Sequence, residues 1–245
     1  MTKNMLKLND SKTEVLIIVP PSHSKNYVSR GIRIADAVVV PGETARSLGF
    51  VFDSNLTLGR EIENRCRVLL FHLRNIRSIR RFLTQSACEK LVHALISSRL
   101  DYANSMLVGI PQKRLRQLQM MQNIAARIVT QTRKYDRITP ILITLHWLPV
   151  KVRIDFKIIT LTFKIIHGFA PGYLCDLIKQ RETPRCLGSS SKIVLVIPKT
   201  RTKSYGDRAF SVAAPKLWNT LPLYIQNVPN YDEFKNKLKT YEYGV

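Results

Sequence analysis

The chain has 245 residues, with 39 Lys and Arg against 17 Asp and Glu, a formal net charge of +22. A hydrophobic content of 45% and a mean hydropathy of −0.08 exclude global disorder and suit one large or two small globular domains. A pI of about 10.2 points to polyanionic partners, nucleic acid before an anionic membrane face.

In chain order, residues 1–55 read as strand-rich. Val15 to Val19 is a β-branched run closed by Pro20-Pro21, predicted as a short buried strand. Ile32 to Ile34 and Val38 to Val40 are predicted strands, and Pro41-Gly42 the turn before Ala45 to Phe52. So few strands are marginal by themselves. The region is expected to be the end of a larger sheet, with open edges that favour aggregation.

From Thr57 onward helical periodicity takes over. Ile62, Cys66, Leu69, Leu73 and Ile76 form one apolar stripe. Arg60, Arg67, Arg74 and Arg81 recur every seven residues, drift only about 20° per step, and fall on the opposite side. They suit either a solvated face or phosphate contacts. A second helix is predicted from Ser86, with Ser86 and Glu89 as a capping box and Cys88, Leu91, Val92, Leu95 and Ile96 inward. A third starts at Pro111 and buries Leu115, Leu118, Met121, Ala125 and Ile128. From Pro111 to Lys134 the charges are Lys113, Arg114, Arg116, Arg127, Arg133 and Lys134, with no acid among them, and the segment is a candidate nucleic-acid surface; Gln117, Gln119, Gln122 and Asn123 add donors.

Thr139-Pro140 opens a short helix through His146, and Pro149 a longer one ending at Gly168. Within the latter, Val152, Ile154, Phe156 and Ile158 alternate as a strand would, but ~18 residues favour a helix. Gly188 to Ser191 marks a loop and Ile193 to Ile197 a short strand. Lys199 to Pro222 is a basic, turn-rich loop running into a helical block with Trp218; Lys199, Arg201, Lys203 and Arg208 are its candidate phosphate contacts. The last helix follows Asn230 and buries Phe234, Leu238 and Tyr241. The predicted class is mainly α with a small N-terminal β part: β-rich 1–55, a helical bundle 56–135, and a helical extension 136–245 holding a basic loop over 183–206.

Catalytic chemistry finds little purchase. No Asp-Asp pair exists, and neither Asp53 nor Asp101 has an acidic neighbour at useful spacing; two-metal phosphoryl chemistry needs converging carboxylates. Asp53 is expected as a turn residue and Asp101 as a cap or salt-bridge partner. His23, His72, His93, His146 and His167 form no metal or triad pattern, no phosphate-cradling glycine loop occurs, and Cys66, Cys88, Cys175 and Cys186 are isolated. The cysteines suit a reducing compartment. MTKNMLKLNDSK lacks an apolar signal core, and no run reaches the ~20 apolar residues of a membrane span. The expected location is nucleus or cytoplasm, with no membrane partner and no small-molecule substrate.

Several blocks in order resemble one family: MTKNMLKLNDSKTEVLII (1–18), ARSLGFVFDSNLTL (45–58), SRLDYANSMLVG (98–109), QLQMMQNIAARIVT (117–130), residues 138–178, and GDRAFSVAAPKLWNTLP (206–222). Together they are similar to the C-terminal part of reverse transcriptases of non-LTR (LINE-type) retrotransposons, of the jockey and chicken-repeat lineages. The resemblance covers about the whole chain. It implies the end of a palm, a thumb and a C-terminal extension. The metal-binding aspartates would lie upstream, so a truncated fragment without polymerase activity is expected, with no cofactor of its own although the full-length family uses Mg²⁺. Lys12 matches the family's post-catalytic lysine, and Leu48, Gly49 and Phe50 its primer-gripping hairpin. Retained binding to RNA, DNA or a hybrid is the leading expectation; a partial gene model of an active polymerase, or an interaction protein without nucleic acid, are the alternatives.

Overall fold

The computed structural model describes residues 9, 12–19, 31–34, 37–181, 192–202 and 205–243. Pro20-Pro21, His23 and, from the basic loop, residues 183–191 (with Cys186 and the Gly188–Ser191 stretch) and 203–204 (with Lys203) fall outside them. The fold is mainly helical with two small antiparallel hairpins. It divides into two compact units, residues 1–65 and 66–245.

In the first unit β1 (Ile32–Ile34) pairs with β2 (Ala37–Val39), and β3 (Thr44–Ser47) with β4 (Phe50–Asp53) in the register Ser47↔Phe50 and Thr44↔Asp53. Leu48 (φ +48°) and Gly49 (φ +81°) make the two-residue turn, so the predicted run through Phe52 folds back on itself. Two successive positive φ values suit a hairpin because they match strand twist. The expected Val15–Val19 strand is absent among the described residues. Only a single parallel bridge, Leu16 to Gly42, forms there, with Gly42 N donating to Val15 O at 2.9 Å.

Asp53 is the turn residue that its position suggested. One carboxylate oxygen accepts from Asn55 N and Thr57 N, and the other from Leu58 N at 2.6 Å. This prepares the start of α1 (Gly59–Ile79). Glu61 and Arg65 form a buried pair at 2.7 Å, and the second Glu61 oxygen accepts from Val51 N at 3.0 Å. The charge thus replaces a missing strand partner. Phe50 is buried rather than displayed, with the Arg65 guanidinium 5.7 Å from its ring.

In the second unit the apolar stripe of α1 is buried at Leu69, Leu73 and Ile76. The helix gives way to a 3₁₀ turn over Arg80–Phe82. Next come α2 (Gln85–Val92), a π turn over His93–Ser97 and α3 (Ser98–Asp101). The cap of α2 is Thr84, whose hydroxyl accepts from Ala87 N at 3.2 Å, not the expected Ser86–Glu89 box. Thr84 wins because its extended backbone (ψ 160°) puts it at the boundary, while Ser86 already lies inside the helix.

α4 (Gln112–Thr130) buries the predicted stripe, with Pro111 as its N-cap. α5 (Ile138–Thr144) follows. α6 (Val150–Ile166) is a helix, as its length demanded. Its strand-like alternation reflects burial on several sides: α4, α8 (Phe210–Thr220) and α10 (Tyr231–Tyr243) all contact it. It ends as expected at Gly168 (φ +72°), where Phe169 N donates to Lys164 O and Gly168 N to Ile165 O, a Schellman closure. Short helices α7 (Gly172–Cys175) and α9 (Leu223–Gln226) complete the set. The predicted Ile193–Ile197 strand shrinks to one bridge, Leu195 to Gln180.

The core of this unit gathers Ile159, Phe163, Leu195, Trp218, Leu221, Phe234 and Leu238. The Phe163 and Phe234 rings stack at 4.2 Å. Trp218 Nε1 donates to Ile193 O at 3.0 Å, and the Asn219 side chain both donates to Leu195 O and accepts from Leu195 N. Tyr241 does not join this core; it is 40% exposed, on the outward side of the last turn of α10.

Candidate nucleic-acid interface

A groove of about 810 Å³ lies where the end of α1 meets the C-terminal half of α4. Five cations line it: Arg77, Arg80 and Arg81 from the first element, Arg127 and Lys134 from the second and its following loop. Met120, Asn123, Ile124, Ile128, Gln131 and Thr132 complete the walls, and no acid is among them. Unopposed like charges in a concave wall focus a positive potential.

The groove is built by one arginine that is not free to bind a ligand. Arg80 Nε donates to Ile128 O (2.8 Å), one Nη to Val129 O (2.9 Å) and the other to Leu83 O (2.7 Å). Ile128 and Val129 sit in the last turn of α4, where carbonyls lack helical partners and the dipole favours a cation. Arg80 therefore satisfies those orphans and fixes the end of α1 onto the end of α4. Its neighbours Arg77 and Arg81 are exposed, with the Arg81 guanidinium 4.6 Å over the Phe82 ring.

The other wall is held by Asp136. Its carboxylate accepts from Arg133 N at 2.8 Å, and its carbonyl accepts from an Arg127 Nη at 3.1 Å. Arg127 Nε is buried and has no partner. Gln131 adopts φ +57° to end α4, and beyond it Lys134 and Tyr135 are exposed.

Of the predicted contact residues, the groove brings together Arg81 and Arg127. Arg67 and Arg74 are exposed on α1. Arg81 no longer continues their helical row, because the helix has tightened to 3₁₀. Arg60 belongs to the first unit and is paired with Glu43 at 2.7 Å. Lys113 and Arg116 are exposed and Arg114 donates to Gln117 at 3.2 Å, but fourteen residues of helix, ~21 Å, separate Lys113 from Arg127. Lys199 and Arg201 are exposed, and no described contact links them to the groove. Arg208 is half-buried: its Nε donates to Val108 O at 3.0 Å, and its side chain lies so close to Gly109 (φ +67°) that a Cβ there would come within 2.6 Å.

Two glutamines of α4, Gln119 and Gln122, turn toward the start of α6. Gln122 Nε2 donates to Leu148 O at 2.8 Å, and Gln119 Oε1 accepts from Val150 N at 2.8 Å. They cap the start of α6, whose own N-cap, Pro149, offers no side-chain acceptor. Lys12 is exposed. Leu48 is 90% exposed at its hairpin tip, beside Gly49. Missed from sequence were Arg77 and Arg80; Lys134 belonged to the predicted basic segment 111–134. Arg80 was readable, since it continues the spacing of four after Ile76.

Outside the groove, Asp101 accepts both a Nε and a Nη hydrogen bond from Arg153, fulfilling the salt-bridge role. Two carboxylates do converge, Asp155 on α6 and Glu242 on α10. Burial holds Asp155 above the usual carboxylate range despite Lys151. Glu242 is raised by burial and then by Asp155, again against Lys151. Among the described residues no group of three or more His, Cys, Asp or Glu side chains is placed to hold a metal ion, and no helix is long and apolar enough to cross a membrane. Cys88 and Cys175 are free thiols. No protein-family model matches the chain, and neither a curated protein nor a solved structure matches it.

Proposed function

We propose that this chain grips nucleic acid through the α1–α4 groove and carries out no nucleotidyl transfer itself, as the thumb and C-terminal extension of a LINE-type reverse transcriptase would. The observation that carries the reading is the groove: five cations, no acid, and a rigid frame that holds Arg77, Arg81 and Lys134 outward. Phosphate contacts of this kind are sequence-independent and release counterions. The family assignment adds the ordered blocks of resemblance over residues 1–222. No Asp-Asp pair accompanies them, so gripping is proposed without catalysis.

Binding to RNA, DNA and hybrid oligonucleotides, followed over a salt series, tests this. The affinity is expected to fall with a log–log slope of about 0.7 to 0.9 per phosphate contact. Arg77→Ala with Arg81→Ala is expected to lower it more than Arg67→Ala with Arg74→Ala. A flat slope, or no binding to any of the three at low salt, refutes the proposal. Primer extension with Mg²⁺ by the purified chain is expected to yield no product; extension would refute its non-catalytic half.

A further inference from the structure

Two of the groove's cations, Arg81 and Lys134, are each followed in the chain by an aromatic ring in water. Phe82 is 74% exposed and Tyr135 is 91% exposed. Each stands next to a groove cation: Arg81 lies 4.6 Å over the Phe82 ring, and Lys134 Nζ lies 6.0 Å from the Tyr135 centroid. Met120, 59% exposed, adds an apolar surface on the wall itself. Other rings are exposed too, such as Phe169 and Tyr173; what sets Phe82 and Tyr135 apart is that each lies against a cation that lines the groove.

These rings are presented by ordered backbone. Phe82 closes the 3₁₀ turn that Arg80 fixes to α4. Tyr135 sits in the turn closed by Asp136, where Asp136 N donates to Arg133 O at 3.2 Å. Aromatic faces beside cations on a positively charged track are the elements of single-strand binding, in which bases stack on side chains and phosphates follow the charge. Bases inside a duplex have their faces already covered by neighbouring pairs, so they cannot use such platforms.

We infer that the groove takes single-stranded nucleic acid, with unpaired bases stacked on Phe82 and Tyr135 and the phosphates on Arg77, Arg81 and Lys134. This rests on the nucleic-acid reading above and narrows it. Charge alone makes the opposite forecast: a duplex has the higher linear charge density, so a purely electrostatic groove favours it.

The test uses the full chain, a mixed-sequence DNA or RNA single strand, and its duplex at equal salt. The single strand is expected to bind more tightly. Phe82→Ala and Tyr135→Ala are each expected to weaken single-strand binding by about tenfold, the order of one lost base stack, without changing the salt slope. Duplex affinity is expected to stay as it was. Arg81→Ala is expected to reduce the single-strand slope by about 0.7. Both rings are surface residues, and circular dichroism melting confirms that each variant is folded. Tighter binding of duplex, or indifference of single-strand binding to both ring substitutions, overturns the inference while leaving the groove a phosphate binder. Failure to bind either form at low salt overturns both readings.

Discussion

Arg80 and Arg77 are three residues apart, carry the same charge and do different work. Arg80 gives its donors to three main-chain carbonyls, while Arg77 faces solvent at the groove. Charged hydrogen bonds to otherwise unpaired carbonyls are among the stronger local contributions to stability. Arg80→Ala is therefore expected to lower the unfolding free energy by roughly 2–4 kcal/mol, seen as a reduced urea midpoint. Arg77→Ala should shift it by less than about 0.5 kcal/mol while weakening nucleic-acid binding. Equal midpoints for the two variants would remove Arg80 from its structural role. Arg208 repeats the lesson: its position in a basic loop suggested phosphate, yet its guanidinium closes on Val108.

Between elements, the polar residues of α4 decide how α6 begins. Gln122 is buried and bonded to Leu148 O, and it also accepts from Gln119 at 2.9 Å. Gln122→Leu keeps the volume but strands Leu148 O and loosens Gln119. A loss of about 1–3 kcal/mol is expected, with nucleic-acid affinity unchanged in the same preparation. A fall in affinity at unchanged stability would instead return Gln122 to the binding face. One-sided periodicity made α1 and α4 legible, because Leu69, Leu73, Leu118 and Ala125 answer to a single apolar side. It was equivocal for α6, which is buried on several sides and so has no clean stripe. Val15 to Val19 misled because composition cannot supply a strand partner, and Ser86 because a cap depends on backbone angles rather than on residue type. Of the five groove cations, Arg81, Arg127 and Lys134 were visible in the sequence. Arg77 and Arg80 were not, and neither was the groove, which forms only where two helix ends meet.

For the molecule as a whole, a formal charge of +22 sets the solution behaviour, and the few acids matter by where they sit. Asp155 and Glu242 have folded-state pKa values raised by burial, Glu242 also by Asp155. A raised acid stabilises the fold when protonated. That contribution is complete below the ordinary values of 3.8 and 4.5 and is lost as pH rises through the higher folded values. Asp155→Asn and Glu242→Gln are thus expected to raise the melting temperature at neutral pH and to match the parent below pH about 4. A variant that melts lower at neutral pH would mean the carboxylate charge is supported, not strained. Ionic strength separates two classes of cation in the same way. Added salt competes for the exposed charges of Arg77, Arg81 and Lys134, but Arg80 is held by peptide dipoles at close range, where screening is weak. The frame is therefore expected to outlast the grip: on the proposed reading, salt releases the strand while far-UV circular dichroism stays unchanged, and lowering the salt restores capture without refolding.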